Sequence, residues 1–387
     1  MVVNRRSHCK SRHGCLNCKQ RRVKCDETRP SCLNCGKRNA TCIYEAAVAL
    51  VWKEENAPTK RSPKNQRSDI FTILDGMTVS QGGSTVPPME DTVLNLELMM
   101  HWCNHTHKTP ARNEATAWIW RQLVPQEAFS HQFLLWAMLA LSALDLARSK
   151  QDGHRSMYLN TAALYQTRAL TLFRQVLQDV NPSNAKAIFA FSAIVAVYAF
   201  GSCDGPNMSD PIQDINHVLM LVRGTSQVIA CVSPTLLDNE FAPLLQVDED
   251  QREITPDVAA ALTHLHTLND SIQNGIETHI AYREAIQRLG EMIATFHSGK
   301  ISMTLCGKWA IKLSPLFLDC LQERQPLALI VLAHYCVLLH YLRRYWCLAP
   351  WPTRVFQAVW DTLDEKGQES LRWPMEQIFS QDHSSGE

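Results

Sequence analysis

The stretch Cys15–Cys42, CLNCKQRRVKCDETRPSCLNCGKRNATC, decides how the first part of this 387-residue chain folds. Its cysteines follow the spacing C-x2-C-x6-C-x6-C-x2-C-x6-C, so the unit C-x2-C-x6-C occurs twice. A C-x2-C pair lets two thiolates of one turn reach the same ion, and a structural zinc ion takes four tetrahedral ligands. Two separate four-coordinate sites would need eight thiolates, and the repeat has six. Two sulfurs that each bind both ions make six thiolates sufficient. We therefore expect two zinc ions, ligated by Cys15, Cys18, Cys25, Cys32, Cys35 and Cys42.

Basic side chains are interleaved with these cysteines. Residues 1–45 carry eleven Lys or Arg against three acidic residues, a formal charge of +8, whereas the whole chain has 38 of each and is neutral. Once Cys18 and Cys25 are held by metal, residues 19–24 form a short rigid helix whose cations point outward. Such cations match phosphates and the O6/N7 edge of guanine. The charge asymmetry therefore predicts a polyanionic partner for this end of the chain.

A metal-storage or redox cluster is the other explanation of these cysteines, and the fixed spacing with interleaved cations favours the structural zinc cluster. Cys9 lies outside the repeat and is expected to be a non-ligand thiol. The first residues lack the apolar run of a secretory signal. We therefore expect the cytosol or the nucleus, where thiols stay reduced and clustered cysteines bind metal.

The composition divides the chain into three parts. Residues 1–45 are poor in large apolar groups and need something other than a hydrophobic core to hold them. Residues 46–90, with TKRSPKNQRSD and QGGSTVPP, are typical of a flexible linker and show no heptad run. Residues 91–387 have apolar residues at helical spacing and no regular alternation of strands. The predicted fold is a small metal-organised domain followed by a large all-α domain.

Several stretches of the second part predict helices with a buried face. One face is expected to carry Val93, Leu94, Leu98 and Trp102, and another Leu164, Leu170, Phe173 and Leu177. Residues 326–346 are apolar on nearly all sides, which predicts the centre of a helical bundle. The longest apolar stretch, residues 185–200, is too short to span a bilayer, so no membrane span is expected.

Residues 8–45 (HCKSRHGCLNCKQRRVKCDETRPSCLNCGKRNATCIYE) resemble the zinc binuclear cluster DNA-binding domain of fungal transcription regulators. The resemblance implies two short helices, a nuclear protein and double-stranded DNA as partner. It also implies that the first and fourth cysteines, Cys15 and Cys32, bridge the metals, and that Arg22, assisted by Arg21, reads a CGG-type half-site. Arg12, Lys19 and Lys24 are then the phosphate contacts.

The resemblance extends more diffusely over the rest of the chain. KSRHGC and CKQRRVKCDE, followed by LMMHWCNHTH, YQTRALTLFRQVL and LALIVLAHYCVLLHYL, are similar to the sterol uptake control group of fungal regulators. This implies a transcription factor for RNA polymerase II genes of a sterol or secondary-metabolite pathway. The helical domain is then a regulatory module for a small apolar ligand such as a sterol. Family members bind DNA as dimers or monomers, so homodimerisation stays open.

Two other classes of function, an enzyme and a repressor or scaffold, are compared with this interpretation. The chain contains no H-E-x-x-H, G-x-S-x-G, P-loop or dinucleotide fingerprint, so no catalytic residue is expected and the chain is not predicted to be an enzyme. The alternative within transcription is a repressor or scaffold whose helical domain binds only protein partners.

Two features outside the cysteine repeat have a functional and a plain structural explanation. His101, Cys103, His105 and His107 could hold a second metal, but only His101 and His105 share a helical face, which favours a polar helix end. Residues 237–254, LDNEFAPLLQVDEDQREI, alternate acidic and bulky apolar groups as activation segments do. An exposed loop is the expected structure for them. The seven cysteines beyond the repeat are expected to pack in the core.

Overall fold

The computed structural model describes residues 18, 21, 23, 25, 26, 28, 32–38, 90–150, 153–202, 210–246, 254–272, 275–297 and 302–379. The chain divides into two compact units, Met1–Pro63 and Lys64–Glu387. The predicted linker, residues 46–90, lies outside the described residues except for its last one. The predicted domain bounds at 45 and 90 stay a prediction.

The first unit contains one described helix, α1 (Leu33–Gly36), a single turn. The Cys32 side chain caps it, because the Cys35 backbone N–H donates to the Cys32 Sγ at 3.4 Å. The Leu33 N–H donates to the Asp26 carboxylate, with N–O distances of 3.0 and 3.2 Å. Asp26 and Cys32 therefore both hydrogen-bond to backbone N–H groups in the first turn of α1.

The described part of the second unit is helical and contains no strand, which confirms the predicted all-α class. Its first helices are α2 (Glu90–Asn104), α3 (Glu114–Trp118), α4 (Val124–Ser130), α5 (Gln132–Ser149), α6 (Gly153–Val176) and α7 (Ala185–Gly201). A 3₁₀ turn (Thr106–Lys108) follows α2, and a π-helical turn (Ile119–Leu123) joins α3 to α4. Then come α8 (Pro211–Leu236), α9 (Ala242–Leu245), α10 (Pro256–Ser271), α11 (Ile276–His297), α12 (Thr304–Lys312), α13 (Pro315–Gln322), α14 (Pro326–Tyr341), α15 (Trp351–Thr362), α16 (Glu365–Glu369) and α17 (Arg372–Phe379).

Short sequence signals set where these helices begin. α8, α10, α13 and α14 each begin with a proline, whose fixed φ suits the first turn and whose missing N–H is not needed there. Asp210 caps α8, since its side chain accepts from the Gln213 N–H at 3.2 Å. Asn113 and Thr116 form a capping box at the start of α3.

The long helix α8 joins the two halves of the helical unit. α5 packs against α2, α6 and α7, whereas α8 packs against α7 on one side and against α12, α13 and α15 on others. The Trp351 indole N–H also donates to the Phe200 carbonyl at 2.9 Å, which ties α15 to α7. α8 has the length and hydropathy of a membrane span. Buried residues such as Ile215, Leu219 and Val222 pack it into the core instead.

The apolar helix α14 is the centre of the C-terminal half, as its composition predicts. Every residue from Leu327 to Leu339 is buried, and the helix packs against α10, α11, α13, α15 and α17. Each fully buried Leu, Ile or Val side chain contributes about 1.5–3 kcal/mol of transfer free energy. Tyr335 stacks on Trp309 at 4.2 Å between ring centroids, which fixes α14 against α12.

Two predicted core positions are wrong. Val93 is 71% exposed, whereas Leu98 and Trp102 are fully buried. Five residues correspond to about 140° around a helix, so Val93 cannot share their face. Leu164 is exposed for the same reason, because it lies about 120° away from the buried Leu170.

The acidic and apolar segment after α8 is an exposed turn at residues 237–240, as expected, but not at residues 241–245. Phe241 is 1% exposed, and α9 follows it directly. Lys186 of α7 lies over the Phe241 ring and pairs with Glu240 at 2.8 Å. Residues 247–253 lie outside the described residues. The expectation of an exposed loop was wrong for residues 241–245, because Phe241, Leu244 and Leu245 pack into or against the core and α9 contacts α3 and α8.

Candidate metal centre and apolar cavity

Three thiols of the cysteine repeat come together in the first unit. The Sγ atoms of Cys18, Cys25 and Cys32 all lie within 4.8 Å of one another, and the Cys18 and Cys32 sulfurs are 3.7 Å apart. Four sulfurs at about 2.3 Å from one tetrahedral zinc ion are roughly 3.8 Å from each other. The separation of Cys18 and Cys32 therefore fits two ligands of the same ion, and soft thiolates are the donors that zinc prefers.

The fourth described thiol of the repeat, Cys35, is also buried. It lies on α1, one turn after Cys32, so the C-x2-C spacing brings both thiols to the same end of that helix. No other buried side chain occurs in the described part of this unit. Val23 is 41% exposed and Leu33 63% exposed. Because the buried side chains among its described residues are thiols, we expect this unit to be held by what those thiols bind, as its lack of a core predicts.

Asp26 is a contributor that the sequence analysis missed. Its carboxylate accepts hydrogen bonds from the Thr28 hydroxyl and from the Leu33 N–H. The Thr28 hydrogen bond is the largest cause that lowers the pKa of Asp26. The sequence did contain a signal for this role, because Asp26 directly follows Cys25 and lies seven residues before the start of α1. Asp26 thus connects the chain after Cys25 to α1.

Of the remaining predicted site residues, one is described. Arg21 is exposed in a turn after Cys18. The other predicted ligands and contacts lie outside the described residues and stay predictions: Cys15, Cys42, Arg12, Lys19, Arg22 and Lys24.

The histidines at and just after the end of α2 make contacts within the helical unit. The His101 and His105 rings stack at 5.0 Å, as their shared face predicts. His101 Nε2 lies 3.0 Å from the Asp145 carboxylate, which also accepts from the Thr106 hydroxyl at 2.8 Å. His107 is buried, its Nδ1 donates to the Trp102 carbonyl, and burial lowers its pKa. Across the described residues, the cysteine trio is the one group of potential ligands close enough to share a metal.

The cysteines outside the repeat follow the prediction with one exception. Cys306, Cys320, Cys336 and Cys347 are buried in the helical unit, and the half-buried Cys103 packs against its core. Cys231, on α8, is exposed and does not pack in the core. Cys203 lies outside the described residues.

A cavity of about 290 Å³ opens between α7, α8, α9 and α12 in the helical unit. Most of its wall is apolar, and its polar or charged lining residues are Arg112, Ser192, Thr225, Thr304, Cys306 and Lys308, with the indole of Trp120. The Trp120 side chain is 2% exposed, and its N–H has no hydrogen-bond partner in the described part of the chain. Local sequence patterns did not indicate this cavity, because its wall comes from segments far apart in the chain.

The Arg112 guanidinium fixes one wall of the cavity. It donates to the backbone carbonyls of Pro243 and Gln246, in and directly after α9. Leu244 and Leu245 of the same short helix line the cavity. Arg112 therefore holds the segment that closes this side.

Comparison with known proteins supports the assignment of the cysteine repeat. Residues 13–48 match the fungal Zn(2)-Cys(6) binuclear cluster domain. The Zn(2)-C6 fungal-type transcription factor afumD of Aspergillus fumigatus is 24% identical over 352 residues, which cover 86% of this chain and 86% of that protein. A Zn(2)-C6 fungal-type transcription factor of Gibberella zeae is 26% identical over 437 residues, 96% of this chain and 86% of that protein.

Sterol uptake control protein 2 of Saccharomyces cerevisiae is 25% identical over 243 residues, 59% of this chain but only 26% of that protein. The first two relatives are named as transcription factors, not as enzymes. The matched domain is a type that binds two zinc ions, and the positions of Cys18, Cys25 and Cys32 agree with it. The chain therefore carries a fungal Zn(2)-Cys(6) binuclear cluster domain at residues 13–48 and is similar over most of its length to fungal Zn(2)-C6 transcription factors.

Proposed function

We propose that the chain is a nuclear, zinc-dependent and sequence-specific regulator of genes transcribed by RNA polymerase II. The observation that carries this proposal is the group of buried thiols, Cys18, Cys25 and Cys32, in a segment with no other buried side chain among its described residues. The +8 charge of residues 1–45 supports duplex DNA as the partner.

Bound zinc supplies the cross-links that replace a hydrophobic core in this unit. Cys15, Cys18, Cys25, Cys32, Cys35 and Cys42 would hold the two zinc ions, and Cys15 and Cys32 would be the shared ligands that the resemblance implies. The backbone between Cys18 and Cys25 is then short and fixed at both ends. This presents its cations in one orientation, because the spacing leaves little freedom between two ligands.

The cations divide into base contacts and phosphate contacts. Arg22 reads a CGG-type half-site through a bidentate contact to guanine, with Arg21 beside it. Arg12, Lys19 and Lys24 contact phosphates, which position the domain without reading sequence. The exposure of Arg21 supports this arrangement.

The helical unit, residues 91–387 with the linker 46–90 before it, is the regulatory module of the proposed regulator. Its cavity supports a small apolar ligand, since it is lined mostly by apolar side chains and holds few polar groups. The printed name of one relative concerns sterol uptake, so sterol-pathway or secondary-metabolite genes are the proposed targets and a sterol is one ligand to test. Homodimer formation on paired half-sites is part of the same proposal.

Two single variants in full-length protein test the division of the cations. Arg22→Ala should cost about 1–3 kcal/mol of binding free energy at the preferred site and relax the base preference. Lys24→Ala should weaken all sequences to a similar degree and reduce the slope of log K against log salt by about one. Selection from random oligonucleotides, followed by salt titrations, separates the two outcomes. The assignment of roles is wrong if both variants lose affinity uniformly, and the proposed function is wrong if the zinc-loaded protein shows no sequence preference.

A further inference from the structure

A hydrogen bond links the residues that follow two of the buried cysteines in the first unit. Asp26 follows Cys25 directly, and Leu33 follows Cys32 directly. The Leu33 N–H lies 3.0 and 3.2 Å from the two oxygens of the Asp26 carboxylate. The loop between the two cysteines is therefore closed one residue beyond each thiol. Across this closed loop the Sγ atoms of Cys25 and Cys32 lie within 4.8 Å of each other.

The carboxylate of Asp26 is itself held in place, and it lies beside the thiols without joining them. The Thr28 hydroxyl, from within the same loop, also donates to this carboxylate. Asp26 is exposed, whereas Cys25 before it is buried. The group of described side chains close enough to share a metal contains cysteines and not Asp26. The contacts of Asp26 therefore act on the backbone that carries the thiols.

The cysteine repeat offers no second residue of this kind. The residue after the last cysteine of the first C-x2-C-x6-C unit is Asp26, and the corresponding residue of the second unit is Ile43. An isoleucine side chain has no hydrogen-bond acceptor, so it cannot replace the carboxylate. The sequence thus places this hydrogen-bonding role at Asp26 alone of the two corresponding positions.

A closed loop favours zinc binding by thiolates for a physical reason. A thiolate that dissociates from the ion stays close to it when the backbone holds both ligands together, because its effective concentration near the ion is high. Groups that orient metal ligands through hydrogen bonds are typically worth about 10–100-fold in metal affinity. The bond between Asp26 and Leu33 holds the backbone next to two of the predicted ligands.

We propose that Asp26 is a positioning residue for the zinc cluster. Its hydrogen bond to the Leu33 N–H keeps the Cys25 and Cys32 thiolates close enough to share one ion, and this raises the affinity of the chain for zinc. The inference rests on the proposed zinc-dependent function. It adds to the six cysteines a residue that determines how tightly the metal is held.

Two substitutions that remove the same charge separate the hydrogen bond from electrostatics. Asp26→Ala removes both acceptor oxygens, whereas Asp26→Asn keeps a carbonyl oxygen that accepts from the Leu33 N–H. In competition between the full-length protein and the chromogenic chelator pyridylazo-resorcinol, Asp26→Ala should bind zinc about 10–100-fold more weakly. Asp26→Asn should lie close to the unchanged protein. Lys37→Ala is the control for an exposed residue of the same unit, directly after α1, and should leave the zinc affinity unchanged.

Cobalt in place of zinc reports the geometry of the thiolates, since its visible absorption depends on how the sulfurs surround the ion. Asp26→Asn should keep the cobalt spectrum of the unchanged protein, and Asp26→Ala should change it. If Asp26→Ala takes up no metal at all, Asp26→Asn decides the matter, because it lacks the same charge and keeps the acceptor.

Equal zinc affinity in Asp26→Ala and in the unchanged protein would overturn the proposal. An equal loss in Asp26→Asn and in Asp26→Ala would overturn it too, because the carboxylate would then act through its charge or as a ligand. The zinc content and the DNA selectivity of the unchanged protein are measured on the same preparations. An unchanged protein that holds no zinc contradicts both proposals, whereas zinc-loaded variants that all behave alike contradict only the role of Asp26.

Discussion

His334 makes the stability of the helical unit depend on pH. The residue lies near the middle of α14 with 1% of its surface exposed, and its ring stacks on Trp373 at 5.5 Å. Its Nδ1 donates to the Ile330 carbonyl at 2.8 Å, so a further proton must add at Nε2 and place a charge in the core. Burial is the largest cause that lowers the pKa of His334, to about 4.

The magnitude follows from the difference between the two states. An unfolded chain binds the proton near pH 6.5, whereas the folded chain binds it only near pH 4. As the pH falls through this interval, the unfolded state takes up a proton that the folded state does not, so the free energy of unfolding decreases. At about 1.4 kcal/mol per pH unit the loss reaches about 3 kcal/mol at pH 4. Above pH 7 this residue contributes no pH dependence.

His334→Leu removes the titrating group and keeps a side chain of similar size. Urea unfolding of the full-length protein, followed by near-ultraviolet circular dichroism at pH 7, 6, 5 and 4, should show that the variant loses about 3 kcal/mol less than the unchanged protein over this range. Burial also lowers the pKa of His107, but that histidine is present in both proteins and cancels in the difference.

His264→Gln is the control, because His264 is exposed and is the smallest cause that lowers the pKa of His334. It should change the pH dependence of stability much less than His334→Leu does. An equal loss of stability between pH 7 and pH 4 in His334→Leu and in the unchanged protein would refute the assignment of this dependence to a buried neutral histidine.

Two further predictions follow from the metal centre and from the packing around α7. Metal analysis of the purified chain should return two zinc ions, and a chelator should abolish DNA binding while the helical signal of the second unit persists; one ion or none would contradict the cluster. Gly201→Ala should cost about 1–3 kcal/mol, because its Cβ would lie 2.6 Å from the Trp346 ring, which Thr109 and Arg148 hold in place. Gly153→Ala is the matched control, because no atom of the described chain outside its own helical turn and its chain neighbours lies within 4 Å of the added carbon; equal unfolding midpoints for the two variants would contradict this account.

Local patterns in the sequence predict the parts of this chain whose structure depends on local spacing. The C-x2-C-x6-C repeat predicts ligands that meet at one ion, and the sulfurs of Cys18, Cys25 and Cys32 do come together. The apolar composition of α14 predicts burial on all sides, and its neighbours do surround it. The cysteine ligands are set by a spacing of a few residues, and the burial of α14 is set by its own apolar composition.

Features that depend on which helices meet were not predictable in this way. Trp120 and Lys308 line one cavity although they are far apart in the chain, and no periodicity relates them. Phe241 was assigned to an exposed loop because acidic residues surround it, yet Lys186 on another helix neutralises Glu240 and lets the ring pack. Helical periodicity gives the direction of a face, but tertiary packing decides what covers it.

The two units of the chain are stabilised by different interactions, and this difference has a consequence for regulation. Among the described residues of the first unit the buried side chains are cysteines, so we expect its fold to depend on the proposed zinc ions. The second unit has a continuous apolar core from Leu98 to Ile378, so its fold depends on hydrophobic burial. Removal of zinc should therefore stop DNA binding without unfolding the helical unit. Acid should instead destabilise the helical unit through His334. A ligand in the cavity would also act on the helical unit, so neither effect requires a change at the cysteines.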